Sequence, residues 1–481
     1  MRGLTTLTAA GLIATTLVAT PAASAHRPAA AADQPPIAAG ADFNQDGYAD
    51  VVTGLPDTAV NGRAKAGAVQ VIYGGGAGSV VITQDSTDVP DEAEAGDLFG
   101  KAVTVWYSPY DNYPNLVVGA PGESVGTAAA AGQVFVFQGG PDGLVLGGYT
   151  YNQDSGGVPG TAEAGDQFGW SLSGGEPGGG FRYGTLAIGS PGEDHNATNS
   201  GSVTLIGNER VRVVHQDSPG IPGKQENGDR FGWSVAILRD VLVVGVPYES
   251  IGSVAGAGLV QIMTVRREDT PNTDWPKPQK VADLDQGKAG VSGVPETGDH
   301  FGMSVALASG EGGESSDYSV TVGVPDESIG SVARAGGMHA FHLEDPYGDL
   351  HPNLLQNMSV NQNSAGVPGV AETGDRFGSS VDAVTNVYGT VVHTVGSDGE
   401  VTDGQIGSSD AIHVFSLQLT GAAWVRPGRY GIAGGETLGT GHLNGDGSRL
   451  YIAAPTAGRI IAVPWENIFY GAGETIEVYE A

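Results

Sequence analysis

Cysteine is absent from the 481 residues, and its absence excludes several kinds of chemistry at once. Disulfide bonds, thiolate metal sites and cysteine nucleophiles are all ruled out, so stability must come from packing and from hard metal ions. Histidine is sparse, and the ten residues show no metal-ligand spacing. A Gly-x-Ser-x-Gly elbow is also missing. The sequence therefore offers no recognisable enzyme site, and we expect a protein that is not an enzyme.

Basic residues are scarce, because 22 lysines and arginines stand against 54 aspartates and glutamates. The resulting net charge of −32 repels nucleic acid and anionic membranes and favours cations or basic partners. We therefore expect no nucleic-acid partner. The excess of acid also keeps an extracellular protein soluble, which is the simplest explanation for most of it.

Long apolar runs are missing except near the N-terminus. An uncharged stretch over residues 3–20 is followed by Ala23-Ser24-Ala25, the small-residue pattern of a signal-peptidase site. This arrangement predicts an export signal over residues 1–25 and a secreted, extracellular protein. A membrane anchor is the alternative, disfavoured by the threonines in the run. No later segment approaches the roughly 20 apolar residues that a membrane span needs, so we expect none in the mature chain.

Residues 26–41 are rich in alanine and proline and lack a periodic apolar pattern, which predicts a disordered linker. The folded part is then predicted over residues 42–481. Its composition, with 79 glycines in the whole chain and 7% aromatic residues, suits many short strands joined by tight turns.

A Phe-Gly dipeptide recurs along the folded part. Each copy precedes a strand-like run, a variable loop, a β-branched run ending in a Gly-x-Pro corner, and an alternating apolar run. The Phe-Gly copies lie at residues 99–100, 168–169, 231–232, 301–302 and 377–378, with Tyr430-Gly431 as a weaker sixth. The faithful corners lie at residues 54–56, 119–121, 189–191, 245–247 and 323–325. With two degenerate corners there are seven units, and the first lacks its Phe-Gly half.

Four strands per repeated unit are typical of a propeller blade. We place the fourth strand near the Gln-Asp-Ser tripeptides at residues 84–86, 153–155 and 216–218. The sequence thus predicts an all-β fold, a seven-bladed β-propeller of four-stranded antiparallel blades. An open solenoid is the competing arrangement, although nothing resembles a polar capping repeat. We expect the ring to close through a blade shared by the two chain ends, with residues 474–479 as one candidate strand.

The order Phe-Gly-x-Ser-Val, hydrophobic strand, Gly-Ala-Pro and Gly-x-Val-x-Val resembles the FG-GAP repeat of integrin α subunits and of many bacterial secreted proteins. The resemblance covers residues 42–465, with five close units and two degenerate ones. It implies a seven-bladed propeller, often with calcium loops on one face, that binds partners rather than catalysing reactions.

One loop, residues 42–50, carries explicit metal chemistry. Side-chain oxygens at alternate positions converge in a tight loop, a glycine at position 6 permits the sharp turn, and a carboxylate at position 9 completes the shell. The predicted ligands are Asp42, Asn44, Asp46, Asp50 and the carbonyl of Tyr48. Calcium is the predicted ion because it accepts six to eight hard oxygens in a flexible geometry. A turn held by the same side chains without a metal is the alternative.

Residues 442–450 form a degenerate copy of this loop. His442 replaces the first aspartate, and Arg449 stands where the first copy has Asp50. Because a positive side chain disfavours a bound cation, we expect weak calcium binding or none.

Other acidic residues recur once per unit. An aspartate lies two residues before each Phe (Asp97, Asp166, Asp229, Asp299, Asp375), and a glutamate two residues after most corner prolines (Glu123, Glu193, Glu249, Glu327). Because a catalytic pair is unique whereas these repeat, we expect them to cap turns. Four tryptophans, Trp106, Trp170, Trp233 and Trp424, are candidates for lining a sugar-binding surface. Trp170 and Trp233 follow Phe-Gly at the same offset, however, so we expect these two in the core.

These observations favour a secreted, calcium-binding recognition or adhesion module for an extracellular protein or glycan, acting as a monomer. Two alternatives remain open. One is a hydrolase or lyase of extracellular polymers, with a site built at the channel mouth from loops at residues 107–113, 266–277 or 345–353. The other is a structural cell-surface protein.

Overall fold

The computed structural model describes residues 37–480 with gaps. The gaps are residues 109–110, 176–183, 208–209, 222, 266–277, 311–316, 345, 347–352, 387, 400–410, 417–420, 427, 431, 433–443, 446–447, 455–458 and 471–475. The predicted export signal and most of the predicted linker therefore lie outside the described residues, as do most of the loops proposed for an enzyme site. Across the described part, no helix combines the length and apolar character needed to span a membrane.

In the described part the strands form four-stranded antiparallel sheets, each built from strands that are consecutive in sequence. The first sheet holds β1 (Ile37–Ala41), β2 (Asp50–Leu55), β3 (Ala68–Tyr73) and β4 (Gly78–Ile82). The second holds β5 (Ala102–Trp106), β6 (Asn115–Ala120), β7 (Gln133–Gln138) and β8 (Val145–Tyr151). The third holds β9 (Ser171–Gly174), β10 (Leu186–Ser190), β11 (Ser202–Gly207) and β12 (Arg210–Val214).

The remaining sheets follow the same plan. The fourth holds β13 (Ser234–Leu238), β14 (Val241–Val246), β15 (Leu259–Thr264) and β16 (Gln279–Leu284). The fifth holds β17 (Ser304–Ser309), β18 (Asp317–Val324), β19 (Gly337–Glu344) and β20 (Asn353–Val360). The sixth holds β21 (Phe377–Thr385), β22 (Val391–Ser397), β23 (Ala411–Ser416) and β24 (Ala422–Val425). The seventh holds β25 (Asn444–Gly445), β26 (Arg449–Ala454), β27 (Arg459–Pro464) and β28 (Glu477–Glu480), with the helix α1 (Trp465–Tyr470) between the last two.

The prediction of an all-β propeller with four-stranded antiparallel blades is confirmed. The seven predicted blades are not equal, however. In the described residues, six sheets have four strands of at least four residues each, whereas the seventh begins with the two-residue strand β25. This sheet falls in the degenerate unit, where the Phe-Gly signal has decayed to Tyr430-Gly431. Six sheets are complete blades, and the last is abbreviated.

Two predictions about the chain ends are wrong, namely the disordered linker where it covers residues 37–41 and the shared blade. The predicted linker over residues 26–41 contains β1, which pairs with β2 from Ile37↔Thr53 to Ala41↔Asp50. Its Ala- and Gly-rich sequence lacks an alternating pattern, but pairing with β2 satisfies its backbone. As a result the first sheet is complete without help from the C-terminus. β28 pairs instead with β27, so the described strands of the two chain ends share no blade.

The first strand of each sheet lies next to the first strands of its neighbours. Contacts run from β1 to β5 and on through β9, β13, β17 and β21 to β25, and β25 in turn contacts β1. The first strands therefore surround a common axis, and the fourth strands form the outer edges. The second and third strands are buried along nearly their whole length in the first six sheets because sheets cover both of their faces.

The phenylalanine of each Phe-Gly dipeptide fills the space between two sheets. Phe99, Phe168, Phe231, Phe301 and Phe377 are all fully buried. Phe99 packs with Val69 and Val71 of the first sheet and with Val118 and Phe135 of the second. Its ring meets that of Phe135 edge-on at 5.1 Å. A large side chain thus joins two sheets at each repeated position.

The glycines of the repeat bring the same two sheets into backbone contact. A Cβ added to Gly119, Gly189, Gly245 or Gly323 of a corner would overlap the carbonyl oxygen of the Phe-Gly glycine in the next sheet, at Gly169, Gly232, Gly302 or Gly378 respectively. The Phe-Gly glycines also have φ near +88°, for example +87° at Gly302. Both glycines of the motif are therefore required by close approach.

Replacing Gly245 by Ala should destabilise the fold, because the new methyl group would collide with the Gly302 backbone. We expect a loss of about 1–3 kcal/mol in the free energy of unfolding, measured by urea titration. Gly147→Ala in β8 is the matched control, since no atom lies within 4 Å of the added Cβ. It should be neutral or slightly stabilising. Equal losses in both variants would contradict this account of the repeat.

Candidate functional site

The predicted calcium loop connects β1 to β2. Asp42 Oδ1 and Asn44 Oδ1 both accept the backbone N–H of Asp46, each at 3.1 Å, so these two oxygens lie side by side. Asp42 Oδ2 accepts the N–H of Gly47 at 2.9 Å, and Asp46 Oδ1 accepts the N–H of Tyr48 at 2.9 Å. The φ of +92° at Gly47 explains why glycine stands at the turn.

Asp50 closes this loop from the buried side. Its carboxylate accepts the N–H of Phe43 at 2.7 Å and that of Gly74 at 2.9 Å, and the residue is fully buried. Burial raises the pKa of Asp50; the two N–H bonds oppose this, and the charges of Asp42 and Asp46 raise it further. The predicted side-chain ligands thus lie together, with carboxylates close enough to repel one another.

The residues present fit a calcium ion. Mutual repulsion among Asp42, Asp46 and Asp50 is relieved by a divalent cation, and every side chain offers hard oxygen. Calcium would be held by Asp42, Asn44, Asp46 and Asp50, with the Tyr48 carbonyl as the predicted fifth ligand. The ion would neutralise the loop and link β1 to β2; it has no catalytic part in this account. Of the degenerate copy, Arg449 begins β26, whereas His442 lies outside the described residues.

Asp46→Ala should reduce calcium-dependent stabilisation, because it deletes a central ligand of this loop. In the unmodified chain, calcium at a hundred times its dissociation constant should add about 2.7 kcal/mol to the free energy of unfolding. Thermal melting with and without millimolar calcium measures this difference. A melting temperature that calcium does not raise, or a calcium effect unchanged in Asp46→Ala, would contradict the loop assignment.

The repeated acids meet at the junctions between sheets. Each aspartate accepts the backbone N–H of a glutamate three residues earlier, for example Asp299 from Glu296 at 2.5 Å and Asp229 from Glu226 at 2.6 Å. The prediction that these aspartates cap turns is therefore confirmed. Such a cap fixes the loop that leads from one sheet into the next.

The Gln-Asp-Ser tripeptides form turns directly after the fourth strands, so the prediction of a fourth strand near them is confirmed. The fourth strands β4, β8 and β12 end two residues before Gln84, Gln153 and Gln216. In this position each glutamine is buried and donates to a corner glutamate of the next sheet. The pairs are Gln84 with Glu123, Gln153 with Glu193, Gln216 with Glu249 and, in the fourth sheet, Gln286 with Glu327. These pairs could not be predicted from local pattern because the two partners lie 33 to 41 residues apart in sequence.

The corner glutamates are weaker acids than glutamate usually is. Burial raises the pKa of Glu193, Glu249 and Glu327 to about 7; the glutamine hydrogen bond opposes the shift, and a neighbouring aspartate adds to it. A raised folded-state pKa means that the folded chain holds protons that the unfolded chain has lost. The resulting stability is present below the ordinary value of 4.5 and is lost as the pH rises through about 7.

Stability should therefore fall between pH 5 and pH 8 in the presence of a chelator. The triple variant Glu193→Gln, Glu249→Gln, Glu327→Gln should show a flatter profile, because glutamine mimics the protonated acid. Urea unfolding at several pH values measures this. Asp142→Asn, at an exposed position, is the control and should keep the slope of the unmodified chain. A triple variant with an unchanged slope would disprove the assignment.

A row of four aromatic rings with a lysine at one end forms a second candidate site. We call it the aromatic arc, and its residues are Lys101, Trp170, Trp233, Tyr248 and His300. Lys101 Nζ lies 4.7 Å from the Trp170 ring. Ring centroids are 4.8 Å apart between Trp170 and Trp233, 5.4 Å between Trp233 and Tyr248, and 4.8 Å between Tyr248 and His300. The arc therefore runs without interruption from the second sheet to the fifth.

The two tryptophans of the arc are partly exposed, so the prediction that they lie in the core is wrong. The reason is that their neighbours Phe168 and Phe231 already fill the space between the sheets. Trp170 directly precedes β9 and Trp233 directly precedes β13, so the rings lie at the end of the axis where these first strands begin. The residue that follows Phe-Gly differs from sheet to sheet. That variation was the sequence signal from which its exposure could have been predicted.

The arc ends at an ionic cluster around Asp326. Its carboxylate lies 2.8 Å from His300 Nδ1, 2.9 Å from Arg334 Nε and 3.3 Å from Arg376 Nε. Burial alone would raise the pKa of Asp326, but His300, Arg376 and Arg334 together lower it to about 2. Asp326 is therefore an ionised, fully engaged acid.

Comparison with known families agrees with this geometry. The profile of the FG-GAP repeat family matches residues 36–72, which span β1 to β3. A second FG-GAP repeat profile matches residues 221–261, which include Phe231-Gly232 and the corner at Gly245. Two segments of the chain are therefore FG-GAP repeats. Both matches and the four-stranded blades support an integrin-α-like FG-GAP propeller.

Among named proteins, the FG-GAP chain is similar to phosphatidylinositol-glycan-specific phospholipase D. Identity with the Rattus norvegicus protein is 33% over 111 residues, covering 22% of this chain and 13% of the relative. Identity with the Bos taurus protein is 34% over 107 residues, covering 21% and 13%. The chain thus matches about an eighth of the length of these relatives.

Solved structures show only distant likeness. Kuenenia stuttgartiensis hydrazine synthase is 10% identical, with 82% of each chain covered and a TM-score of 0.42. AofleA from Arthrobotrys oligospora is 8% identical, with 82% of this chain and 87% of that chain covered and a TM-score of 0.37. These values are too low to bear on function.

Proposed function

We propose that this FG-GAP propeller is a secreted, calcium-assisted recognition module that binds an extracellular protein or glycan. The observation that carries the proposal is the aromatic arc. Its rings stand at positions where the other repeats carry different residues, so the blade architecture does not demand them. Residues that the fold does not require are available for function.

The chemistry of the arc suits recognition. Partly exposed aromatic rings offer rigid apolar faces with polar edges, and they bury much area at little cost in conformational entropy. Lys101 and the ionic cluster at Asp326 border the rings with charge of both signs. An apolar strip with polar ends fits the face of a sugar ring or an aromatic or proline side chain, and orients it.

We also propose that the chain is not an enzyme, although its named relatives are phospholipases. The acid nearest the arc, Asp326, contacts three basic side chains and has a pKa near 2. It is therefore unsuited to exchange a proton with a substrate. The match to the phospholipases covers an eighth of their length and corresponds to a shared repeat in this proposal.

The proposal includes a closed ring with seven blades, the last of them abbreviated. Val51 and Ile72 of the first sheet pack with Tyr451, Ile460 and Ala462 of the seventh. This packing closes the circuit of first strands. The calcium loop follows β1 in the first sheet, next to this closure, so the ion would stiffen the ring where its two ends meet.

Trp233→Ala should abolish ligand binding without unfolding the chain, because it removes the central ring of the arc. The measurement is binding of labelled protein to arrays of immobilised glycans and extracellular-matrix proteins. Tyr388→Ala is the matched control, since Tyr388 is an exposed aromatic residue whose ring meets Tyr470, away from the arc. We expect a target bound by the unmodified chain and the control but lost in Trp233→Ala. Equal binding by all three proteins would contradict the proposal that the aromatic arc binds the ligand.

A further inference from the structure

Basic residues recur at one position of the repeat, in a chain whose net charge is −32. Arg230, His300 and Arg376 directly precede the phenylalanines of three successive Phe-Gly dipeptides, and the two earlier dipeptides have Leu98 and Gln167 there. The backbone is left-handed in every copy, with φ of +58° at Leu98 and Gln167 and of +54° to +57° at the basic residues. The backbone therefore does not require a basic side chain, and these residues are available for binding.

The ionic cluster at the end of the aromatic arc has fewer acceptors than donors. Asp326 Oδ1 is shared between Arg334 Nε at 2.9 Å and Arg376 Nε at 3.3 Å, while Oδ2 lies 2.8 Å from His300 Nδ1. Arg376 Nε has no hydrogen-bond partner, and its Nη1 lies 3.7 Å from Asp398. Arg334 contacts Asp326 only through Nε, so its two terminal nitrogens have no acidic partner among the described residues. A further anion would supply the missing acceptors.

The surface of this cluster is positive. The side chain of Arg334 is 51% exposed, whereas those of Asp326 and Asp398 are 10% and 15% exposed. Asp299, a further acid whose charge acts on that of Asp326, is buried and accepts the backbone N–H of Glu296 at 2.5 Å. An approaching ligand therefore meets a guanidinium group whose planar fork matches a carboxylate.

The positive surface adjoins the rings of the arc. Burial raises the pKa of Tyr248, whereas Arg230 and Arg376 oppose the rise, so both guanidinium groups lie close to this ring. The Tyr248 ring lies 5.4 Å from that of Trp233 and 4.8 Å from that of His300. A ligand that packs an apolar face on the rings would thus hold a neighbouring acidic group at the arginines.

We propose that the arc binds a glycan that contains a sugar acid, whose carboxylate is held by Arg334 beside Arg376 and whose neighbouring sugar rings pack along Tyr248, Trp233 and Trp170. This inference rests on the proposed recognition function and names its ligand class. A long polyanion is disfavoured because the chain as a whole is strongly acidic. An extended peptide is disfavoured because the arc offers ring faces and guanidinium groups rather than a strand edge for pairing.

An array of paired oligosaccharides tests the proposal with the full chain. Each pair holds an oligosaccharide with a uronic acid and the same oligosaccharide after reduction of its carboxylate to an alcohol. The unmodified chain should bind an acidic member, and its reduced partner about tenfold more weakly or less, because the charged hydrogen bonds are lost. Arg334→Gln should bind both members equally weakly. Arg334→Lys, which keeps the charge but not the planar fork, should regain part of the difference.

Arg63→Gln is the matched control. Arg63 also makes one ion pair at 2.9 Å, with Asp85, and its side chain is 41% exposed, but it lies between β2 and β3 of the first sheet. This variant should bind the acidic member as tightly as the unmodified chain does. An equal loss in Arg63→Gln and Arg334→Gln would contradict the assignment.

Two results would overturn the inference and leave the recognition function in place, provided that Trp233→Ala still abolishes binding. They are equal binding of the acidic and reduced members, and an unchanged affinity of Arg334→Gln for the acidic member. Binding confined to acidic peptides would overturn the assignment to a glycan. If the unmodified chain binds neither glycans nor proteins, the recognition function itself fails and the inference fails with it.

Discussion

The close approach of two glycines at each junction is the constraint on which this propeller depends. Where Gly245 meets the carbonyl of Gly302, no side chain fits between the backbones. Beside this contact a buried ring, here Phe301, fills the wedge that opens away from the axis. The glycines hold the two sheets close together near the axis, and the phenylalanine ring holds them farther apart away from it. Together they set the angle between neighbouring sheets. Repetition of that angle turns a row of sheets into a ring.

Because the repeated residues are committed to this geometry, function falls to the positions that vary. The residue after Phe-Gly is Lys101, Trp170 or Trp233 in successive sheets, and these become the aromatic arc. Likewise, the acidic turns share one hydrogen-bond plan, yet only at the first junction do three carboxylate groups converge among the described residues. The fold supplies equivalent places, and single substitutions make them different.

The sequence predicted those features that follow from local pattern. The Phe-Gly repeats gave the four-stranded blades, and the alternating oxygens of residues 42–50 gave a ligand set that the structure brings together, with calcium itself still a prediction. Features that depend on distant pairing were missed. β1 is an alanine-rich segment whose strand state comes from β2, and Gln84 meets Glu123 across 39 residues. The burial of Trp170 was predicted wrongly because Trp170 directly follows Phe-Gly, a position in the repeat that flanks the core without lying in it.

The ring itself is the central claim, and native-state hydrogen exchange tests it most directly. If the first and last sheets pack together, amides of β2 and β26 should open only with the whole ring, with the same free energy as those of β14 in the middle. Exchange of β26 and β27 through a much cheaper local opening would contradict the account, because it would mean a stack with a free end.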